Sequence, residues 1–177
     1  MNRHRCLPVF VLFLPPAFTY SAVIDSSAAG FTVRNIVTVH ASQARAYASV
    51  VHDVGKWWDS AHTYSGRSEN LSINATAGGC FCEKLPGGGV RHMVVVLAIP
   101  GKLLRLSGSL GPLQALAVTG SMTWTFTSQA EETVVEVRYA VGGYSPEGLQ
   151  KIAPAVDRVL AEQLERYGHF VDTGTPR

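Results

Sequence analysis

The sequence predicts an α+β domain in which a curved antiparallel sheet is covered by a long C-terminal helix. Apolar and polar residues alternate in Phe31–His40 and Thr133–Val141, which indicates strands with one buried and one solvated face. From Leu149 to Tyr167, apolar residues instead recur every three or four positions, as in an amphipathic helix. Hydrophobic residues make up 46% of the 177-residue chain and charged residues 16%, which favours one folded domain.

The first residues have the pattern of a secretory signal peptide. The basic segment Met1–Arg5 precedes the apolar run Cys6–Leu14, and Pro15 and Pro16 follow. The run is shorter than the ~20 residues that span a bilayer, so an uncleaved anchor is the less favoured alternative. We expect residues 1–22 to be removed, with the cut between positions 21 and 29, leaving a periplasmic or secreted protein without stable membrane insertion.

The elements between these two ends follow from local patterns. Ser42 is a candidate N-cap before the alanine-rich Ala44–His52, and Lys56–His62 predicts a second short helix or a turn. Together with Phe31–His40, the further segments give about seven strands. These segments are Asn70–Asn74, Cys80–Leu85, Val90–Ile99, Leu103–Leu110, Met122–Ser128 and Thr133–Val141.

The C-terminal helix has clear boundary signals. Ser145, Pro146 and Glu147 resemble a helix start, because they provide a capping hydroxyl, an N-terminal proline and an acid in the first turn. Pro154 predicts a kink, and Gly168 predicts the end of the helix. We therefore expect a single domain over residues 30–172 and a flexible tail over residues 173–177.

The charge pattern excludes some classes of partner. Without Arg3 and Arg5, which lie in the segment expected to be removed, basic and acidic residues balance. A neutral domain without a basic stripe gives little reason to expect a nucleic acid or an anionic membrane as partner.

The order of elements resembles the SRPBCC superfamily, also called START-like or Bet v 1-like. The resemblance rests on Lys56-Trp57-Trp58-Asp59 after the first helix and on a closing helix that follows Gly142-Gly143-Tyr144. The chain is similar to bacterial relatives described as polyketide cyclase-like, or as homologues of an activator of the heat-shock 90 chaperone ATPase. This resemblance implies a helix-grip fold, whose sheet wraps the long helix around a cavity for lipids, sterols or polyketide-like molecules.

A cavity of this kind should be lined by aromatic residues with polar edges and by apolar residues of the sheet and helix. The candidate ligand-binding residues are Trp57, Trp58, His62, Tyr64, Cys80, Cys82, His92, Trp124, Tyr139, Ile152 and Val156. No residue is assigned as catalytic or as a metal ligand, and no cofactor is expected.

Cys80 and Cys82 are the cysteines that remain after the signal segment. Because side chains alternate along a strand, both sulfurs should lie on one face. Three interpretations are open: core or cavity lining, which the burial tendency of cysteine favours; a redox pair; and a soft-metal site with His92 from the next strand.

Two possible side-chain pairs and one loop are further candidates for the functional site. Asp59 and His62 are three positions apart and would be close if helical, and Glu83 could pair with Arg91 across a hairpin. The glycine-rich, apolar segment 108–120 is a candidate gate over the cavity, or alternatively a buried connection.

The expected function is non-catalytic binding of a small hydrophobic or amphipathic ligand. One alternative is a cyclase- or hydrolase-like enzyme that uses His62, Asp59 or Tyr139 as acid–base groups. Another is a protein-interaction module like the chaperone activator. A polar group of shifted pKa facing the cavity would favour the enzyme.

Overall fold

The computed structural model describes residues 19–176, which form one eight-stranded antiparallel sheet with two helices packed against it. The strands are β1 Thr19–Ser27, β2 Gly30–Val39, β3 Leu71–Ile73, β4 Cys80–Leu85, β5 Gly88–Ile99, β6 Leu103–Gly108, β7 Ala117–Gln129 and β8 Glu132–Tyr144. The α-helices are α1 Gln43–Trp57 and α2 Ala153–Thr173. Short 3₁₀ turns cover 60–62, 68–70, 111–115 and 149–151.

The strand order across the sheet is β1-β2-β8-β7-β6-β5-β4-β3. After β2 the chain passes through α1 to the far edge and returns as a meander, until β8 pairs with β2. The predicted helix-grip architecture is confirmed, with an open curved sheet and a long C-terminal helix. Of the two short helices expected after the first strand, α1 is a full α-helix and the second is a 3₁₀ turn at 60–62.

Strand β1 is the element that raises the count above seven. It pairs with β2 from Thr19↔Val37 to Ser27↔Gly30, and Ser21 Oγ donates a hydrogen bond to Asp157 Oδ2 of α2 at 2.8 Å. The segment in which cleavage was expected thus begins inside a paired strand. The basic and apolar parts of the predicted signal peptide lie outside the described residues.

The core lies between the sheet and the two helices. It contains the apolar positions that alternate along β2 and β8, such as Val33, Val37, Val135 and Val137, all at most 2% exposed. Helix α2 approaches β2 closely because residue 168 has no side chain: a Cβ there would lie 2.7 Å from Val37 Cγ2.

Both ends of α2 differ from the prediction. Pro154 lies at the N-terminus of the helix rather than two turns inside it, and proline is favoured there because the first N–H groups need no intrahelical partner. The start signal at 145–147 precedes a 3₁₀ turn instead of the helix itself. Gly168 is an interior helical residue, and the helix ends at Gly174, whose left-handed φ of 85° suits a C-terminal cap.

We expect Gly168→Ala to destabilise the protein although alanine is the better helix former. Alanine gains about 1 kcal/mol of helix propensity, whereas overpacking costs about 1–3 kcal/mol, so a net loss of about 1 kcal/mol is expected. Urea unfolding followed by tryptophan fluorescence measures it. Gly88→Ala is the matched control, since a Cβ there meets nothing within 4 Å. Equal or higher stability of Gly168→Ala would show that α2 can move away from β2.

Candidate functional site: a buried glutamate–histidine pair beside a cleft

A β-bulge between β4 and β5 orients the central side chain of the site. Phe81 pairs with Met93 and Cys82 pairs with Arg91, so His92 is an extra residue on β5. His92 and Met93 are both buried although they are consecutive, which regular alternation along a strand would not allow. The bulge therefore turns His92 toward the interior, a use of bulges that is frequent near functional sites.

Glu83 is the buried anion of the site. Its side chain is 0% exposed, and it accepts hydrogen bonds from the backbone N–H groups of Ser65 at 2.5 Å and Tyr64 at 3.1 Å. His92 Nε2 lies 3.1 Å from Glu83 Oε2 and provides a further contact. A buried carboxylate is tolerated only when its oxygens are bonded in this way.

The pKa directions of this pair follow from burial and hydrogen bonding. Burial is the largest single influence on Glu83 and raises its pKa, but the hydrogen bonds from Ser65, Tyr64 and His92 together outweigh it, so the pKa lies below its ordinary value. Burial lowers the pKa of His92, and Glu83 offsets this only in part. The pair is therefore a carboxylate and a neutral imidazole near neutral pH.

This charge state determines which nitrogen of His92 is available. Because the Glu83 carboxylate can only accept, Nε2 carries the proton and donates it, which leaves Nδ1 as an unprotonated acceptor. Nδ1 is buried and has no hydrogen-bond partner within residues 19–176. A buried acceptor without a partner costs free energy, so it indicates either a functional position or an unplaced partner.

Tyr64 covers His92 from the outside. The two rings stack with centroids 6.0 Å apart and planes 28° apart, and Phe81 packs on the other side at 5.1 Å. The hydroxyl of Tyr64 donates to the carbonyl of Gly111, at 2.9 Å, in the segment between β6 and β7. Tyr64 thus connects the histidine to the predicted gate.

A cleft of about 290 Å³ opens beside this pair. Its lining combines polar and apolar groups from β5, β6 and the segment that follows β6. The residues are Arg91, His92, Met93, Val94, Ser107, Gly108, Ser109 and Gln114. Glycine is required at 108, because a Cβ there would lie 2.7 Å from the His92 carbonyl oxygen.

The segment between β6 and β7 is shorter than the predicted gate over 108–120, since β7 already begins at Ala117. Gly108 and Gly111 have φ values of 147° and 51°, in the region that favours glycine. Five side-chain hydrogen bonds hold the segment and its ends. Tyr64 donates to the Gly111 carbonyl, and Gln114 donates to the Arg91 carbonyl. Ser109 donates to the Val118 carbonyl, while the Tyr139 hydroxyl donates to the Gly108 carbonyl and accepts from the Leu110 N–H. Leu113 is also buried in the core, so the segment is held both by hydrogen bonds and by apolar packing.

The aromatic candidates form a packed interior cluster. Trp57 contacts Trp58, Trp124 and Tyr167 with centroid separations of 5.6, 6.1 and 5.3 Å. Trp57 and Tyr167 are at most 1% exposed. If a void large enough for water lay beside these rings, part of their surface would be accessible to a water-sized sphere. The space between the sheet and α2 is filled by side chains in this region.

Most N–H and hydroxyl groups of these aromatic residues form hydrogen bonds with the protein backbone. Trp57 Nε1 donates to the Ser49 carbonyl, and Trp58 Nε1 donates to the His62 carbonyl. Burial raises the pKa of Tyr139 to about 12, and its hydroxyl both donates to Gly108 and accepts from the Leu110 N–H. These groups stabilise the fold, and Tyr139 also anchors the segment beside the cleft.

The other candidates lie apart from the His92 cleft. Ile152 and Val156 are half-buried at the start of α2. His62 lies 3.6 Å from Glu162, while Asp59 caps the Ala61 N–H and lies 3.7 Å from Arg166. Asp59 and His62 therefore have separate partners, and the predicted pair is not formed.

Cys80 and Cys82 are joined by a disulfide. Both are half-buried on the outer face of β4, opposite to Phe81 and Glu83, which face the interior. His92 lies on the inner side, so the proposed metal site with His92 is not formed. No group of three or more His, Cys, Asp or Glu within residues 19–176 is arranged to hold a metal ion.

Glu83 is the site residue that the sequence analysis missed, because the sequence suggested that it forms an ion pair with Arg91 across the hairpin. Arg91 is exposed, whereas Glu83 faces the core. The alternation of β4 carried the signal: if Phe81 is inside, so is Glu83. His92 and Tyr64 were both predicted, but the bulge that places His92 had no recognisable sequence signature.

A smaller cleft of about 160 Å³ lies between β1, β2 and α2. Asn35 lines it and is 1% exposed; its Nδ2 donates to Asp157 Oδ1 at 3.0 Å, and its Oδ1 has no partner within residues 19–176. Among the described residues, this cleft contains no buried ionisable pair.

Comparison with known proteins identifies the fold. No family model matches the sequence, and no curated protein matches it. Among solved structures, CalU16 from Micromonospora echinospora is similar with a TM-score of 0.55 at 14% identity, over 92% of this chain and 88% of that one. The Aha1 dimer structure from Colwellia psychrerythraea matches with a TM-score of 0.57 at 16% identity, over 81% and 97%.

DynU16, a protein of the dynemicin biosynthetic locus, matches with a TM-score of 0.58 at 20% identity, over 82% of this chain and 48% of that one. The chain shares the fold of these proteins. The similarity is consistent with the SRPBCC-like architecture that the order of elements predicted, and at these identities it concerns the fold alone. Neither helix of residues 19–176 is long and apolar enough to cross a membrane.

We expect nuclear magnetic resonance to detect His92 as the Nε2–H tautomer, titrating below the ordinary histidine pKa. Glu83→Gln should lower the His92 pKa further, because the imidazolium loses its neighbouring carboxylate. Glu69→Gln, at an exposed position, is the control and should leave it unchanged. Long-range proton–nitrogen spectra over a pH series measure both. An Nδ1–H tautomer, or a pKa that rises in Glu83→Gln, would contradict this assignment.

Proposed function

We propose that this protein binds a small amphipathic molecule in the cleft beside His92. The observation that carries the proposal is the buried Nδ1 of His92, which has no hydrogen-bond partner among residues 19–176 and whose other ring nitrogen contacts a buried carboxylate. Binding sites for small molecules place fixed polar groups beside apolar surface, and this cleft does so with a lining that is more polar than apolar.

The chemistry of the cleft defines the ligand class. Since neutral His92 presents an acceptor at Nδ1, the ligand should carry a hydroxyl or N–H donor. Met93 and Val94 provide apolar contacts, while Ser107, Ser109 and Gln114 add polar groups. A volume of about 290 Å³ suits a molecule of one or two rings.

Access to Nδ1 requires movement of the covering groups. The nitrogen is enclosed in the present conformation, with Tyr64 stacked on the ring and bonded to Gly111. Breaking this single hydrogen bond would release Tyr64 from the 109–116 segment. Because Tyr64 is 52% exposed, it can swing outward without losing a large buried surface. We infer that Tyr64 and this segment together open and close the site.

The test uses naphthol, which has a hydroxyl donor, and methoxynaphthalene, which lacks it. The wild-type chain should bind naphthol about tenfold more tightly, the value of one buried hydrogen bond. His92→Ala should abolish this preference, whereas His62→Ala, at the partly exposed histidine outside the cleft, should keep it. Fluorescence titration of the wild type and both variants with each compound measures the six affinities. No preference in the wild type, or an equal loss in both variants, would overturn the proposal.

The same pair favours a second candidate function, acid–base catalysis. A neutral histidine oriented by a carboxylate is a suitable general base, and a polar group of shifted pKa beside the cleft is the observation expected for an enzyme. His92 and Glu83 would then act in place of His62, Asp59 or Tyr139. A turnover lost in His92→Ala while methoxynaphthalene affinity is retained would favour the enzyme over the binding protein.

We further propose that the protein is exported. The basic and apolar N-terminal pattern supports this, and a disulfide is compatible with an oxidising compartment. A cut after Ser21 leaves most of β1 paired, whereas a cut after Ala28 removes the strand and exposes the edge of β2. N-terminal sequencing of chain recovered from the cell envelope or medium should therefore detect cleavage at the early end of the 21–29 range. An intact Met1 in the cytosolic fraction would contradict export.

A further inference from the structure

We propose that Cys80–Cys82 is a reversible thiol–disulfide exchange site for small thiols. The two cysteines do not line the ligand cleft, because both lie on the outer face of β4 and His92 lies on the inner side; Arg91 borders both sites. The proposal concerns the chemistry of the two sulfurs and does not depend on the ligand proposed above.

The disulfide is placed where a reagent can reach it. The two Cα atoms are 5.4 Å apart, and both residues are half-buried rather than enclosed in the core. The neighbour of Cys82 on β3 is Ser72, a small exposed residue that leaves the sulfur uncovered on that side. Partially exposed disulfides are the ones that take part in exchange.

Positive charge lies on the same face as Cys82. Arg91 is its cross-strand partner on β5, and Lys84 follows two positions later on β4; both are exposed. Paired residues and residues two apart share a face of the sheet, so the Arg91 and Lys84 side chains project from the same face as the Cys82 sulfur. Nearby cations stabilise a thiolate, which makes Cys82 the better leaving group of the two.

A structural role explains this disulfide poorly. Disulfides stabilise mainly by restricting the unfolded chain, and the effect grows with the length of the closed loop. Here the loop encloses Phe81 alone, and β4 is already held by ladders to β3 and β5. Closing so short a loop adds little restriction, so stabilisation of the fold gives little reason for the bond.

The exchange balances in two steps. The thiolate of a small thiol attacks Cys80 Sγ; a bond forms between these sulfurs, the Cys80–Cys82 bond breaks, and its electron pair goes to Cys82. A second small thiolate then attacks the small-molecule sulfur of the mixed disulfide and releases Cys80. Two small thiols are oxidised to one disulfide, the protein disulfide gains two electrons, and the two thiol protons end on Cys80 and Cys82.

The test incubates the full, folded chain in glutathione buffers in which the ratio of reduced to oxidised form is varied. Samples are quenched with acid, alkylated, and counted for free thiols by mass spectrometry, while tryptophan fluorescence reports on the fold. We expect reduction and reoxidation without unfolding. Arg91→Gln should slow reduction severalfold, whereas Lys102→Gln, the same loss of one charge in the exposed β5–β6 turn, should not. Cys82→Ser should accumulate a mixed disulfide on Cys80.

Two results would overturn the proposal. One is a disulfide that is reduced only when the fluorescence shows unfolding, which would identify it as structural. The other is a folded chain whose two thiols stay free in oxidised glutathione. An Arg91→Gln rate equal to that of Lys102→Gln would overturn the assignment of Cys82 as the leaving sulfur. Binding of naphthol is measured separately, so failure of the cleft proposal leaves this result unaffected.

Discussion

The buried carboxylate of Glu83 is the interaction on which the site depends. A carboxylate that is shielded from solvent needs hydrogen-bond donors. Glu83 accepts from the backbone N–H groups of residues 64 and 65 and from His92 Nε2. These contacts connect the turn after α1 to the β4–β5 hairpin and place the Tyr64 ring over the histidine. One charge thus determines a loop conformation, a tautomer and the stacking of Tyr64 on His92.

Most aromatic residues of the fold pack in its interior and do not line the cleft. Trp57, Trp124 and Tyr167 fill the space between sheet and α2, and Trp57 Nε1 and the Tyr167 hydroxyl bond to backbone carbonyls. Because the interior is filled, the space that remains lies at the margin of the sheet, where β5, β6 and the 109–116 segment leave a cleft. The helix-grip architecture supports both arrangements, since the packing of interior side chains and not the strand order decides how much space remains.

Regular periodicity made much of the fold predictable. The alternation in β2, β7 and β8 and the helical period of α2 depend on local geometry, and these elements lie where the patterns indicated. The predicted ends of α2 were wrong because glycine and proline each occur for more than one reason. Gly168 allows close packing against Val37 instead of ending the helix, and Pro154 lies at the start of the helix instead of kinking it. Strand β1 was missed because its mostly exposed residues lack a buried stripe.

The sequence by itself determined the α+β class, the order of strands and helices from β2 to α2, and the candidacy of Tyr64 and His92 as site residues. Only the tertiary structure decided that Glu83 and not Asp59 partners a histidine, that His92 and the cysteines lie on opposite faces of the sheet, and that Trp57 is packing rather than lining. The reason is physical: periodicity is encoded within a few neighbouring residues, whereas a bulge and a buried charge depend on contacts between segments far apart in the chain.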